Sequence, residues 1–331
     1  MDIILNAAII GLGNWGQVLV RSVHGKSDIV RFSHGVTRTL SRAEAFAEKA
    51  GIALSDDFEA LLTNPDVDFV VLATPHSLHL EQIQAAAAAG KPVLCEKPLT
   101  LTAADARSAF AAADAGGVLL GVAQNRRFMP SARALETLIA DGRLGELLHM
   151  EGNFSGPSGF RWEKDPNGWR ARRDENPAGS MTARGLHVSD LMIHFAGLAE
   201  SVFAITERRV LKIPVNDVTT LLLRFAGGPT ASLTTMAATA ETWQFRLYGS
   251  RGWAELRGPD RLVFRPAGGD DEDMQLPAGD TERAELEAFA AAVGGGAPYP
   301  VPAEQAVNNI AVLEGILASQ ESGGEISLDR F

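Results

Sequence analysis

The chain has 331 residues, 46% of them hydrophobic and 21% charged, with a formal net charge of −11. That length suits two domains of an ordinary folded protein, while the acidic balance and the lack of a basic cluster argue against a nucleic-acid partner. A single cysteine, Cys95, excludes internal disulfides and a cysteine-rich metal site.

Residues 6–10 predict a first strand that ends in glycine, followed by a helix over 15–24. No basic segment with an apolar helix opens the chain, since Met1-Asp2 leads straight into that strand, and no apolar run reaches membrane-spanning length. The expectation is a soluble, cytoplasmic protein. A second strand covers 29–36. Ser41-Arg42-Ala43-Glu44 has the form of a capping box that opens a helix stopping at Gly51, and Asp56 or Asp57 starts a shorter one. Residues 67–72 read as a buried strand and 78–89 as a helix ending at Gly90. A strand over 92–95, a helix over 102–115 and a strand over 118–122 complete the series. This alternation predicts βαβ units and a parallel, doubly wound sheet in a domain spanning residues 1–123.

Residues 124–331 differ in character. A helix over 131–140 precedes a strand over 146–154, then an aromatic and glycine-rich stretch, 156–179, with Trp162, Trp169 and Arg170. After a helix over 187–195 come β-rich runs at 219–225, 231–236 and 244–248, which point to a large, mostly antiparallel sheet. Helices over 281–293 and 303–320 close an α+β domain, with Gly294-Gly295-Gly296 as a break between them.

Gly11, Gly13 and Gly16 fit G-x-G-x-x-G at the first strand-to-helix turn. The first glycine permits a tight turn, the second a close approach to a pyrophosphate, and the third close packing of helix on strand. The second strand ends in Gly35-Val36-Thr37-Arg38-Thr39, without the carboxylate that would hold the ribose hydroxyls of NAD. Thr37 is neutral, and Arg38 and Arg42 are placed to meet a 2′-phosphate. This favours NADP over NAD, unless Arg38 is only a solvated loop residue. Further on, Lys97 follows the apolar run 92–94 at a strand end, where an open α/β sheet presents groups to its ligand. It reads as an acid/base group beside a redox cofactor, the alternative being a lysine that caps carbonyls.

In order along the chain stand Gly11 to Gly16, then Ala73-Thr74-Pro75-His76-Ser77-Leu78-His79, Ala89-Gly90-Lys91-Pro92-Val93-Leu94-Cys95-Glu96-Lys97-Pro98, Asn125-Arg126-Arg127-Phe128 and Gly185-Leu186-His187-Val188-Ser189-Asp190. This set resembles the Gfo/Idh/MocA family, the glucose–fructose oxidoreductase and inositol dehydrogenase relatives. The resemblance implies a Rossmann domain, a second domain on a large open sheet, hydride transfer to or from a sugar or polyol, and homodimers or homotetramers assembled through that sheet. It further implies that Asn14 and Trp15 in the glycine turn, Thr74, Pro75, His76, His79, Glu96 and Asn125 line the cofactor site. Lys97 corresponds to the catalytic lysine, which is followed by a cis peptide to Pro98. Arg127, Trp169, Arg170, Thr182, His187 and Asp190 fall on the substrate side, with His187 as the motif's histidine. His79 alternatively packs within its helix.

One position departs from the pattern. The first acid of D-x-G-x-H-x-x-D falls at Ala183, which cannot exchange a proton, and Thr182 and Asp190 are the nearby groups that could recover part of the role. Oxidising an alcohol sends a hydride to nicotinamide and a proton to a base, and reduction reverses both. Lys97 is expected as that base and His187 as its assistant. Two other readings fit the same family: a cofactor-dependent glycoside hydrolase, and a non-catalytic cofactor sensor. His187, Asp190 and His194 share a helical spacing, but no second cluster supplies further ligands, so no metal is expected.

Overall fold

Six short apolar runs of the first third pair as parallel strands: β1 (Leu5–Ile10), β2 (Val30–Val36), β3 (Ala53–Ser55), β4 (Phe69–Leu72), β5 (Val93–Glu96) and β6 (Leu120–Ala123). Their order is β3-β2-β1-β4-β5-β6, so the chain reverses direction across the sheet between β1 and β4. Every residue of β4, β5 and β6 is buried. A parallel sheet carries crossover helices on its faces, which leaves central strands no solvent side for a polar residue. The structure, a computed structural model, describes residues 4–329; the Met1-Asp2 opening and the last two residues lie outside them.

The second sheet has nine strands. They are β7 (Leu147–Ser155), β8 (Ala199–Glu207), β9 (Val218–Phe225), β10 (Thr230–Met236), β11 (Thr242–Gly249), β12 (Gly252–Leu256), β13 (Arg261–Pro266), β14 (Glu272–Gln275) and β15 (Ile326–Ser327). The order is β14-β13-β12-β11-β7-β10-β9-β8-β15, and β10 with β7 is the parallel pair in an otherwise antiparallel arrangement. In β9 buried and exposed residues alternate, as a strand does when one sheet face is covered. The covered face packs Leu221, Leu223, Leu233, Phe245 and Leu247 in one core with Val188 and Met192 of helix Leu186–Ala196 and Val312 and Ile316 of helix Ala303–Ser322.

Two expectations need correction. The chain divides into two units with a break after Asn125, near the expected boundary, but the first also takes in a late segment: it comprises the chain to Thr100, Ala104–Asn125 and Asp280–Ala303. Phe289 of helix Thr281–Val293 packs edge-on against Phe69 of β4 at 5.3 Å and against Tyr299 at 5.5 Å. Gly121 of β6 makes room for it, since a Cβ there would lie 2.8 Å from the Phe289 ring. Tyr299 Oη donates to the carbonyl of Val122 at 3.0 Å. Aromatic anchors thus draw a late segment onto the parallel sheet. The capping box at Ser41 does not form either. Leu40–Arg42 is a 3-10 turn with Ser41 in its interior, and helix Glu44–Ala50 starts from Ala43 with no side-chain cap. Asp57, by contrast, does cap helix Phe58–Leu62 through the amide of Ala60 at 2.9 Å.

Candidate active site

In the first unit, the turn after β1 has the form that its glycines allow. Gly11 has φ +95°, and a Cβ on it would lie 2.6 Å from the carbonyl oxygen of Ala73. A Cβ on Gly16 would lie 2.3 Å from the carbonyl oxygen of Gly11. Both positions therefore require glycine. Gly13 is exposed, and a Cβ there would meet nothing within 4 Å, which leaves its backbone open to an outside group. Helix Asn14–Val23 starts immediately afterwards with no side-chain cap and no acid in its first turn, so its amides and dipole favour an anion. Asn14 is exposed beside them. At the end of β2, Thr37 donates its amide to Ser55, and Arg38 and Arg42 are exposed.

The ends of β4, β5 and β6 lie side by side. Glu96 closes β5 and is 9% exposed. The Trp15 indole N–H donates to its Oε1 in a short hydrogen bond, and the Lys97 amide donates to Oε2 at 3.2 Å. Burial, partly countered by these bonds and by Lys97, pushes the Glu96 carboxyl up to about 7, and the charge of Glu282 adds to the rise. Lys97 is half-buried, and its peptide to Pro98 is cis, as the resemblance implied. His79, fully buried, has Nδ1 at 3.0 Å from the carbonyl of Pro98 and 3.2 Å from that of Leu99, with Nε2 at 3.1 Å from the carbonyl of Thr74. A neutral imidazole carries one N–H, so it donates either to the Pro98 and Leu99 carbonyls or to that of Thr74. Its ring nitrogens face backbone carbonyls inside the protein. Thr74 donates its hydroxyl to Gln82 at 2.6 Å, and half-buried Pro75 leads to His76, whose ring meets that of His79 edge-on at 5.9 Å.

Asn125 follows β6, where Glu96 pairs in register with Ala123. Its Nδ2 donates to Glu282 Oε1 at 2.9 Å. Its Oδ1 and the Oε1 of Gln124 are buried without a hydrogen-bond partner among the described residues. Two buried acceptors at the carboxyl edge, with an uncapped helix start and an open glycine nearby, fit a dinucleotide that brings donors and phosphate charge. Cys95 is buried, and burial raises its thiol, so it has no thiolate chemistry at neutral pH.

In the second unit, Arg127 and Asp190 form a bidentate pair, with Nε to Oδ2 at 2.8 Å and Nη2 to Oδ1 at 2.6 Å. Both side chains are at most 1% exposed. Arg127 Nη1 also donates to Gln305 at 2.7 Å and lies 3.3 Å from His194 Nδ1, whose Nε2 meets Glu136 at 2.6 Å. Because a guanidinium only donates, His194 Nδ1 accepts and its Nε2 carries the proton to Glu136. These groups hold one another in a buried network. Thr182 is fully buried, and its hydroxyl accepts from the Ala178 amide at 3.0 Å.

His187 is half-buried in the first turn of helix Leu186–Ala196, its ring 6.4 Å from that of Phe154. A π-helical turn, Met181–Gly185, leads into that helix. Ala183 on this turn packs against the apolar cluster of Trp162, Leu211 and Ile213, which gives a methyl group good neighbours and a carboxylate poor ones. Trp169 lies under the Arg170 guanidinium at 3.9 Å. A wall that the sequence did not reveal surrounds Phe154: Trp243 meets it edge-on at 5.1 Å, and Arg126 and Arg184 lie over it at 5.5 and 4.8 Å. Its members are scattered from 126 to 243, so no local pattern marks them. Among the described residues, no three His, Cys, Asp or Glu side chains gather as a metal site, and no helix is long and apolar enough to cross a membrane.

Comparison with known proteins agrees with this geometry. Residues 5–124 match the model of the oxidoreductase family with an NAD-binding Rossmann fold, and residues 132–255 match the GFO/IDH/MocA C-terminal domain. D-xylose 1-dehydrogenase (NADP(+)) 2 of Haloferax volcanii is 30% identical over 302 residues, covering 88% of this chain and 90% of its own. The 1,5-anhydro-D-fructose reductase of Ensifer adhaerens is 32% identical over 238 residues, covering 70% and 69%. A solved levoglucosan dehydrogenase, in complex with NADH and L-sorbose, shares the fold at a TM-score of 0.88 and 21% identity, over 98% of this chain and 99% of that one.

Proposed function

The chain belongs to the Gfo/Idh/MocA family of NAD(P)-dependent oxidoreductases, and on that premise we propose that it moves a hydride between nicotinamide and the hydroxyl or carbonyl carbon of a sugar, polyol or derivative. Lys97 is the acid/base and His187 assists it. The observation that carries this reading is the setting of Lys97: half-buried at the end of β5, beyond a buried Glu96 and on a loop whose Pro98 and Leu99 carbonyls face the His79 ring. The half-burial of Lys97 gives it partial shelter from water, as a base needs for a substrate hydroxyl. The cofactor supplies the hydride acceptor or donor when bound. Gly11, Gly13 and Gly16 admit its pyrophosphate, and exposed Arg38 and Arg42, with no carboxylate at the end of β2, support NADP as the preferred form.

Two relatives named for aldose and anhydro-sugar chemistry support a carbohydrate-like substrate. His187, Trp169 and Arg170 are the proposed contacts to it. Arg127, Asp190 and Thr182 are positioning residues that fix the helix bearing His187. The protein is proposed to be cytoplasmic and to act as a homodimer or homotetramer through the nine-stranded sheet.

The test is a spectrophotometric assay of nicotinamide reduction on a panel of aldoses and polyols with NADP and with NAD. Turnover with lower KM for NADP is expected. Lys97→Ala should lose at least about a hundredfold in kcat while the dissociation constant of the cofactor stays within about twofold. Retained turnover in that variant defeats the lysine assignment, and a lower KM for NAD defeats the NADP preference.

A further inference from the structure

Three polar side chains stand around Phe154 that donate hydrogen bonds and cannot accept them. Phe154 of β7 and Trp243 of β11 are register partners, and their rings meet edge-on at 5.1 Å. The Trp243 indole nitrogen is buried and has no hydrogen-bond partner among the described residues. The half-buried guanidinium of Arg184 stands over the Phe154 ring, 4.8 Å from its centre. Gly156 makes room for it, since a Cβ there would lie 2.7 Å from Nη1 and 2.8 Å from Nη2. Nη1 donates to the Ser155 carbonyl at 2.9 Å and to Glu241 at 3.2 Å. Glu241 is 69% exposed, so water screens its charge. Arg184 is thus anchored through Nη1, while Nε and Nη2 make no hydrogen bond among the described residues. Arg126 brings a second guanidinium, 5.5 Å from the centre of Phe154 and 5.6 Å from that of Trp243. His187 follows Arg184 by three residues, and its ring lies 6.4 Å from Phe154. The wall therefore adjoins the histidine proposed to assist the reaction.

We propose that this wall is a specificity subsite for an anion, and that the substrate is a carbohydrate carrying a carboxylate or phosphate group. The inference rests on the hydride-transfer reading given above and narrows its substrate class. An indole N–H and a guanidinium offer no acceptor. A neutral sugar presents hydroxyls that donate as well as accept, so against this wall their protons meet other donors. A carboxylate or phosphate presents lone pairs alone and takes charge-assisted, two-point bonds from a guanidinium. The Phe154 ring steadies the cation above it and shields one side from water, which strengthens the attraction. The chain's net charge of −11 repels an anion from the surface at large, and a local group of cations reverses that field. The anion takes no part in bond making. It holds the sugar so that a hydroxyl on another carbon lies toward His187.

Initial rates on the full chain test this with D-glucose and D-galactose, their uronates and their 6-phosphates, using NADP+ and NAD+. Within each sugar the three forms differ only at C6. At least one anionic form should exceed its neutral parent in kcat/KM by about tenfold or more, and the better of the two identifies the anion. That advantage should shrink as potassium chloride is raised. Arg184→Gln should cut the ratio of anionic to neutral kcat/KM by about tenfold, chiefly through KM, and Arg184→Lys should restore part of it. Trp243→Phe keeps an aromatic edge against Phe154 and removes the N–H, and it should cut the same ratio by about threefold or more. A ratio compares two substrates on one protein, so a partly unfolded variant does not imitate the effect. Neutral sugars turned over as well as or better than both anionic forms would overturn the subsite and leave the hydride-transfer reading standing. An anion preference that survives both Arg184→Gln and Trp243→Phe would overturn the wall as its origin. Turnover of none of the six sugars with either cofactor would overturn the hydride-transfer reading on this substrate class, and the inference with it.

Discussion

Glu96 shows how one buried acid sets both a stability profile and a functional constraint. Its carboxyl ionises near 4.5 when free and only at about 7 in the folded chain, because burial disfavours the charge more than Trp15 and Lys97 favour it. Between those values the folded state holds a proton that the unfolded state has lost. The stability contributed by Glu96 is therefore fully present below about pH 4.5 and is lost as pH rises through about 7. Glu96→Gln keeps an acceptor for the indole and removes the charge. It should raise resistance to urea at about pH 8, by on the order of 2 kcal/mol, and leave it unchanged at about pH 5. Equal midpoints for wild type and variant at the higher pH would show that Glu96 ionises freely. A protein that accepts this penalty at its cofactor edge accords with a use for the carboxylate there.

Helix Leu186–Ala196 is the element on which the second unit's proposed chemistry turns, and a buried ion pair fixes its place. Removing one partner strands the other charge in a dry interior. Asp190→Ala or Arg127→Met alone should cost about 3–5 kcal/mol in denaturant unfolding, while the double change Arg127→Met with Asp190→Leu should recover much of the loss. A single variant within about 0.5 kcal/mol of wild type would mean that water reaches the pair. The helix itself was legible from the apolar periodicity over 187–195, but the role of Asp190 was not. Sequence spacing places Asp190 and His187 on neighbouring turns, yet only the fold brings Arg127, 63 positions away, against that acid. The same limit explains His79, whose partners are carbonyls of a distant loop, and the wall of Arg126, Phe154, Arg184 and Trp243. Strands β1, β4, β5 and β6 could be read directly because apolar runs bounded by glycine or proline leave little alternative. Ser41 matched a cap by spacing, but a 3-10 turn took the position. The glycine turn depends on local backbone form, and there sequence and structure agree.

At the scale of the whole molecule, the outer face of the nine-stranded sheet remains to be explained. Register sets one row across it: Phe203 of β8, Leu222 of β9, Ser232 of β10, Glu151 of β7, Arg246 of β11 and Glu255 of β12. The row is apolar at one end, with Leu222 54% exposed and nearby Ile205 58% exposed, and charged at the other, where Arg246 pairs with Glu255 at 3.1 Å. A monomer gains nothing from a wide, flat face with large exposed aliphatic side chains, whereas a two-fold copy laid on it buries those side chains and pairs like regions with like. This supports the homo-oligomer proposed above, with this face as its proposed contact. Light scattering should give a dimer or tetramer mass, and Ile205→Asp with Leu222→Arg should reduce that mass and make it concentration-dependent. Both replacements lie on exposed positions, so the strands should keep their fold and the circular dichroism spectrum should match wild type. A monomeric wild type would remove the assembly, and an unchanged mass in the folded double variant would move the contact to another surface.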